Sequence, residues 1–264
     1  MRTSALPLLV ALSAPLAAQN TSAEFSPNPA PPGVQIDFVA TDATGSGLFL
    51  PSGCTWLEVR QGSPSGPVID HLPQGTGCGA ALVPIAANGS FGVSWNQIDT
   101  NTGLQVAPGT YWYRVSTLAD VSSPIVQEWF CISIQDPSDP TLRALTPAKA
   151  GQALALDIVA PTEPGAAYVT VASFTSNNPI VLTTGLPTCI DQDSLFSLSF
   201  PVPNPAVFTG FQGTLDAFGT AAGISVAIPA SPVVNFQPLV LQAAVIGGPG
   251  GLRLTNAQSF TVQP

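Results

Sequence analysis

Charge is scarce in this chain of 264 residues: Lys and Arg number 6, Asp and Glu 15, and charged residues make up 8% of the whole. Lys149 is the one lysine and His71 the one histidine. Six cations at a formal net charge of -9 exclude a nucleic-acid binder, which needs Lys and Arg to neutralise phosphates. Cysteine is limited to Cys54, Cys78, Cys131 and Cys189, and no two have the CxxC spacing of a structural zinc site. No Gly-x-Ser-x-Gly elbow occurs, and a Ser-His-Asp hydrolase would have to use His71, at a strand end beside Asp70, as its base. Cysteine catalysis would need a free thiol beside the same imidazole. The glutamates Glu24, Glu58, Glu128 and Glu163 stand in no recognisable acid-pair motif. These gaps point to a non-enzymatic protein without a cofactor. No apolar run reaches 18 residues, so no membrane-spanning helix is expected.

What is present is apolar and heavily punctuated. Hydrophobic residues make up 45%, too many for a disordered chain. The 28 prolines and 24 glycines are spread throughout and disfavour long helices. Residues 1–18 read as a secretory signal peptide: Arg2 supplies the positive start, Leu6 to Leu16 the apolar core, and Ala17-Ala18 the small pair before a mature N-terminus at Gln19. The expected location is therefore secreted, extracellular or in the cell envelope. Loss of Arg2 takes the formal charge from -9 to -10, which favours solubility and disfavours anionic membranes.

Removing 18 of 264 residues leaves 246, which suits two sandwiches of ~100 residues rather than one. The break falls at Gln135-Asp-Pro-Ser-Asp-Pro140, giving domains over 19–135 and 141–264. Alternating segments in the first are Val34–Ala40, Thr55–Arg60, Pro67–Leu72, Ala81–Ile85, Ser90–Trp95, Thr110–Thr117 and Pro124–Ile134. In the second they are Gln152–Val159, Ala167–Thr175, Ile180–Thr184, Leu195–Phe200, Ile224–Ile228, Leu239–Ile246 and Leu252–Val262, with a short helical turn near Leu215–Phe218. Short strands between Pro, Gly, Asn and Asp turns predict an all-β chain of two tandem antiparallel β-sandwiches.

Two stretches carry family likenesses. Trp95-Asn-Gln-Ile-Asp99, then Gly103, then Val106-Ala-Pro-Gly109-Thr-Tyr111-Trp-Tyr113-Arg114-Val115 resembles the FlgD-type immunoglobulin-like domain. Asn96 stands where that pattern has Asp, Gln97 where it has Gly, and the loop is a residue longer. The resemblance implies an immunoglobulin-like fold and an assembly or adhesion role, and it brings no catalytic residues. Residues 143–264, ending in Leu252-Arg-Leu-Thr-Asn-Ala257, loosely resemble the C-terminal β-domain of uncharacterised secreted bacterial proteins, which implies export and a β-fold.

Side-chain alternation nominates the sites. Tyr111, Tyr113 and Val115 take one face of their strand, the expected core face, which turns Trp112 and Arg114 outward. By the same count Trp56, Glu58 and Arg60 face outward, as do Trp129 and Cys131. If these strands are C, F and G of an immunoglobulin-like sheet, Trp56, Trp112 and Trp129 form one stripe with Glu58 and Arg114 beside it. Such a stripe is either covered or offers a platform to an unknown protein or a glycan. Asp99-Thr-Asn101-Thr-Gly103 looks like a calcium loop, but the twelfth position, where an EF-hand has its bidentate Glu, is Thr110, so the turn reading leads. Asp191 and Asp193 read as a solvated turn. A pair of strands separated by a third lies ~9–10 Å apart, beyond the ~7 Å reach of a disulfide, which disfavours Cys54–Cys131. Cys54 and Cys78 flank the open end of one hairpin and are the first choice of pair, leaving Cys131 and Cys189 to link the halves or stay free. The resulting expectation is a secreted structural, adhesion or envelope-associated module, with carbohydrate binding through the tryptophans as the alternative.

Overall fold

The structure, a computed structural model, describes residues 20–51, 57–72 and 82–264. Residues 1–18, expected to be a signal peptide, and the residues Cys54, Trp56 and Cys78 lie outside the described residues. The chain divides into two units, Gln19–Asp136 and Pro137–Pro264. Both are built of small antiparallel sheets.

The first unit runs β1 (Thr21–Ser26), β2 (Ile36–Asp42), β3 (Leu48–Pro51), β4 (Leu57–Gln61), β5 (Val68–Leu72), β6 (Leu82–Ile85), β7 (Ser90–Trp95), β8 (Ile98–Asp99), β9 (Leu104–Gln105), β10 (Gly109–Thr117) and β11 (Val126–Ile134). One sheet has the order β1-β2-β7 and another β11-β10-β4-β5, with the pairs β3-β6 and β8-β9 beside them. The period of two decides what each sheet hides. Phe25, Phe38 and Trp95 from the first sheet meet Tyr111, Tyr113 and Phe130 from the second in one core. Phe38 stacks on Tyr113 at 5.2 Å between ring centroids, Phe25 meets the same ring edge-on at 5.1 Å, and Trp95 lies 5.5 Å from Tyr111. Each such pair adds about 0.5–1.5 kcal/mol beyond the area it buries.

Two loops show how polar side chains shape this unit. Asp42 closes the β2–β3 turn: its carboxylate accepts the amides of Thr44 and Gly47, and that of Asn88 from the β6–β7 turn at 3.0 Å. Gln97, at the position where the FlgD-type pattern has Gly, sits in the left-handed region at φ 61°. A side chain there is strained. It is held by its own amide, which donates to Pro31 O and Val34 O and accepts from Gly33 N.

The second unit runs β12 (Thr141–Ala144), β13 (Ala153–Val159), β14 (Ala167–Ser173), β15 (Pro179–Val181), β16 (Pro187–Asp191), α1 (Ser194–Ser199), β17 (Phe208–Thr209), β18 (Gln212–Thr214), β19 (Thr220–Ala227), β20 (Pro238–Gly248), β21 (Gly251–Leu254) and β22 (Gln258–Thr261). The order β12-β13-β19-β17 makes one sheet and β18-β14-β20-β21 the other, with β22 also paired to β20. Leu154, Leu156 and Ile158 of β13 share a core with Leu241, Ala243 and Val245 of β20. Asn256 ties across these layers, accepting from Leu142 N at 2.8 Å and donating to Leu142 O at 3.1 Å.

Several strand expectations need correction. Leu195–Phe200 is not a strand: Ser194–Ser199 is helical, because the Asp193 side chain accepts from Leu195 N and Phe196 N and caps the first turn. Leu252–Val262 is two strands, broken at Thr255 and Asn256. There Thr255 Oγ1 takes the amide of Ala243 in place of a strand partner. Leu215–Phe218 forms no helix; Gly219 N closes a turn onto Asp216 O. Strands β1, β3, β8, β9, β12, β16, β17 and β18 have no counterpart among the segments expected from the sequence.

Candidate functional site

The outer face of β4-β10-β11 gathers the residues picked out by alternation. Glu58, Arg114 and Trp129 share one rung of the ladder, and Arg60, Trp112 and Cys131 another. Arg114 Nη2 donates to Glu58 Oε2 at 2.8 Å, and Arg60 Nε donates to Glu58 Oε1. The Arg60 and Arg114 guanidinium groups lie 5.5 and 5.8 Å from the Trp129 ring centroid, within cation–π range. Trp56 lies outside the described residues. Trp112 is 0% exposed. Its ring therefore has no open face for a sugar. Its indole N–H, though buried, meets no acceptor among the described residues.

The loop acids are occupied by their own backbone. Asp99 Oδ1 accepts from Asn101 N and Asn101 Nδ2, and Oδ2 from Thr102 Oγ1. Those bonds hold its carboxyl below the usual range, the Asn101 amide foremost. Asn101 Nδ2 also donates to Val68 O at 2.9 Å. Among the described residues no three His, Cys, Asp or Glu stand together as metal ligands. Asp99→Ala is expected to leave the response to calcium unchanged, with a small drop in melting temperature and the same small effect of added calcium on variant and parent. A calcium-dependent rise of many degrees in the parent alone would instead make this loop a metal site.

Asp191 and Asp193 are not a solvated turn. Asp191 is buried and accepts from Thr175 Oγ1, Asn177 N and Asn178 N. Asp193 caps α1 and takes Phe174 N as well. Burial pushes both carboxyls up, and these donors only partly offset it. His71 lies on β5 opposite Glu58, its amide bonded to the side chain of Asp70. Cys131 and Cys189 are both disulfide-bonded and buried, so neither stays free.

Two features escaped the sequence reading. Glu128 is buried at the end of the aromatic core and accepts from Asn20 N, Thr21 N and Thr21 Oγ1, clamping the start of β1. The signal was available: Glu128 has the inward parity of Phe130 and Ile132. The second feature is a groove of about 320 Å³ in the unit Pro137–Pro264. Its floor is the outer face of the β14-β20-β21 sheet: Val169, Val171, Ala244, Ile246, Leu252 and Leu254. Its wall is the β15–β16 hairpin and α1, with Ile180, Leu182, Ile190, Phe196 and Phe200. Gln242 fastens wall to floor, accepting from Cys189 N and donating to Thr255 O, both at 2.9 Å. Ser199 of α1 accepts from Ala172 N where β18 has ended. The sequence trace is the run Leu239–Ile246, apolar at inward and outward positions alike except for Gln242. An outward face of that kind is built to be covered.

The chain matches none of the protein families compared with it and no curated protein. Among solved structures it is similar to red sea bream transglutaminase, with 9% identity and a TM-score of 0.29 over 94% of this chain. It spans 32% of the length of that enzyme.

Proposed function

We propose that this is an exported, non-enzymatic β-protein with a structural, adhesion or envelope-associated role, made of two immunoglobulin-like sandwiches, the first of FlgD type. The observation that carries the reading is where the reactive-looking side chains are spent. Asp99, Asp191 and Asp193 hold turns and a helix end, Glu128 holds β1, and Glu58 holds two arginines. A catalytic acid or base must instead be within hydrogen-bond reach of a substrate proton. The sandwich reading is supported by the way facing sheets pool their inward side chains into one core per unit. Export is supported by the bonded state of Cys131 and Cys189, since disulfides persist in oxidising compartments. In this reading the two cysteines pair with each other.

Mass spectrometry of medium, cell-surface and cytoplasmic fractions checks the proposal. The expected finding is a chain beginning at Gln19 in the medium or surface fraction, with the Cys131 and Cys189 peptides linked until reduction. Recovery of the uncleaved chain only from the cytoplasm, with reduced cysteines, would remove it.

A further inference from the structure

We infer that the groove over the β14-β20-β21 sheet is a binding site for an uncharged aliphatic chain. Its volume, about 320 Å³, lies at the lower end of the ~300–1,000 Å³ of small-molecule sites. Chemistry selects the ligand. None of the lining side chains is charged. The two polar ones are committed: Gln242 to Cys189 N and Thr255 O, Thr188 Oγ1 to Ile180 O at 3.0 Å. A polar or ionic ligand would leave water and find no partner there. The cations of this unit near the sheet do not help, because Arg253 is paired with Asp139 and Glu163. An anionic head group, facing a chain of net charge -9, has nothing to bind. An alkyl chain loses nothing by the transfer and gains from every methylene buried.

Two of the lining side chains, Ile246 and Phe200, are 42% and 40% exposed. A chain entering between the hairpin and the sheet would cover these side chains, which water otherwise meets.

Fluorescence of the neutral probe N-phenyl-1-naphthylamine on the full chain tests this, with displacement by octanol, decanol and dodecanol. The expected result is saturable binding, with competition strengthening about fourfold per added methylene until the groove is full. The matched carboxylates should compete at least tenfold more weakly. Ala244→Phe, which fills the floor, should abolish probe binding. Ile246→Lys, at an exposed position, should weaken it tenfold or more while melting as the parent does; this second variant keeps the test valid if the first misfolds. Competition that ignores chain length, or carboxylates that compete equally, would overturn the inference. So would a concentration-dependent dimer that Ile246→Lys dissociates and alcohols leave intact, since the groove would then belong to a second copy.

Discussion

Trp112→Ala is expected to lower the unfolding free energy by about 3–5 kcal/mol, the range for emptying a buried aromatic site. Trp112 is 0% exposed although it sits on the face opposite the Tyr111, Tyr113 and Val115 core. Deleting the ring removes its transfer energy and leaves a cavity between Arg60 and Cys131, its neighbours along the ladder. Trp112→Phe should cost far less, at most about 1–2 kcal/mol. It keeps most of the packing and removes an N–H that is buried without an acceptor among the described residues. Urea denaturation of the two variants separates packing from recognition. If Trp112→Ala were as stable as the parent but failed on a glycan array, the residue would be a platform and the covered reading would be wrong.

The same residue shows how far alternation reaches. The run Tyr111-Trp112-Tyr113-Arg114-Val115 specifies which side chains share a side, and the structure puts Trp112 with Arg60, Arg114 and Trp129, away from Tyr111 and Tyr113. Alternation is silent on whether the far side is wet, because that depends on residues distant in sequence. A face carrying Trp112, Cys131 and a buried Glu58 is not the polar exterior of an isolated sheet.

Local polar competition explains most of the misread elements. Leu195-Phe-Ser-Leu-Ser-Phe200 alternates like a strand, yet the Asp193 carboxylate satisfies two of the free amides of a helical first turn. In the last segment Thr255 and Asn256 bind backbone groups of β20 and β12, so the strand ends at Leu254 and resumes at Gln258. β1 was invisible for another reason. Thr-Ser-Ala-Glu-Phe-Ser is a weak strand sequence, and its place comes from pairing with β2 and from a carboxylate more than a hundred residues away, Glu128. The groove was legible only in part. The two-sided apolar run of β20 announces a covered face, but the hairpin and helix that half-cover it were read as an isolated strand and a strand.

That distant carboxylate yields the second large effect. Burial outweighs three donated hydrogen bonds and pushes Glu128 up to about 7, from 4.5 in an unfolded chain. The folded state therefore holds a proton that the unfolded state has released across the interval between those values. The sign follows: the Glu128 contribution is fully present below pH 4.5, falls as pH rises, and is gone above about 7. A shift of this size corresponds to about 3 kcal/mol over the window. The acids whose pKa is lowered, such as Asp42, Asp99 and Asp216, add the opposite slope only near and below 3.8, outside it. Asp191 and Asp193 are raised and add to the same slope from the other unit. Glu128→Gln isolates the contribution. Its amide oxygen still accepts from Asn20 or Thr21 N, and the Thr21 hydroxyl can turn to accept from its NH2. Between pH 4 and 8 the variant should lose about 3 kcal/mol less stability than the parent, and at pH 8 it should match or exceed the parent. An unchanged slope would mean that the carboxylate stays ionised under its three donors. β1 would then be held by a charged clamp, and Glu128→Gln would weaken the fold at pH 8 instead of sparing it.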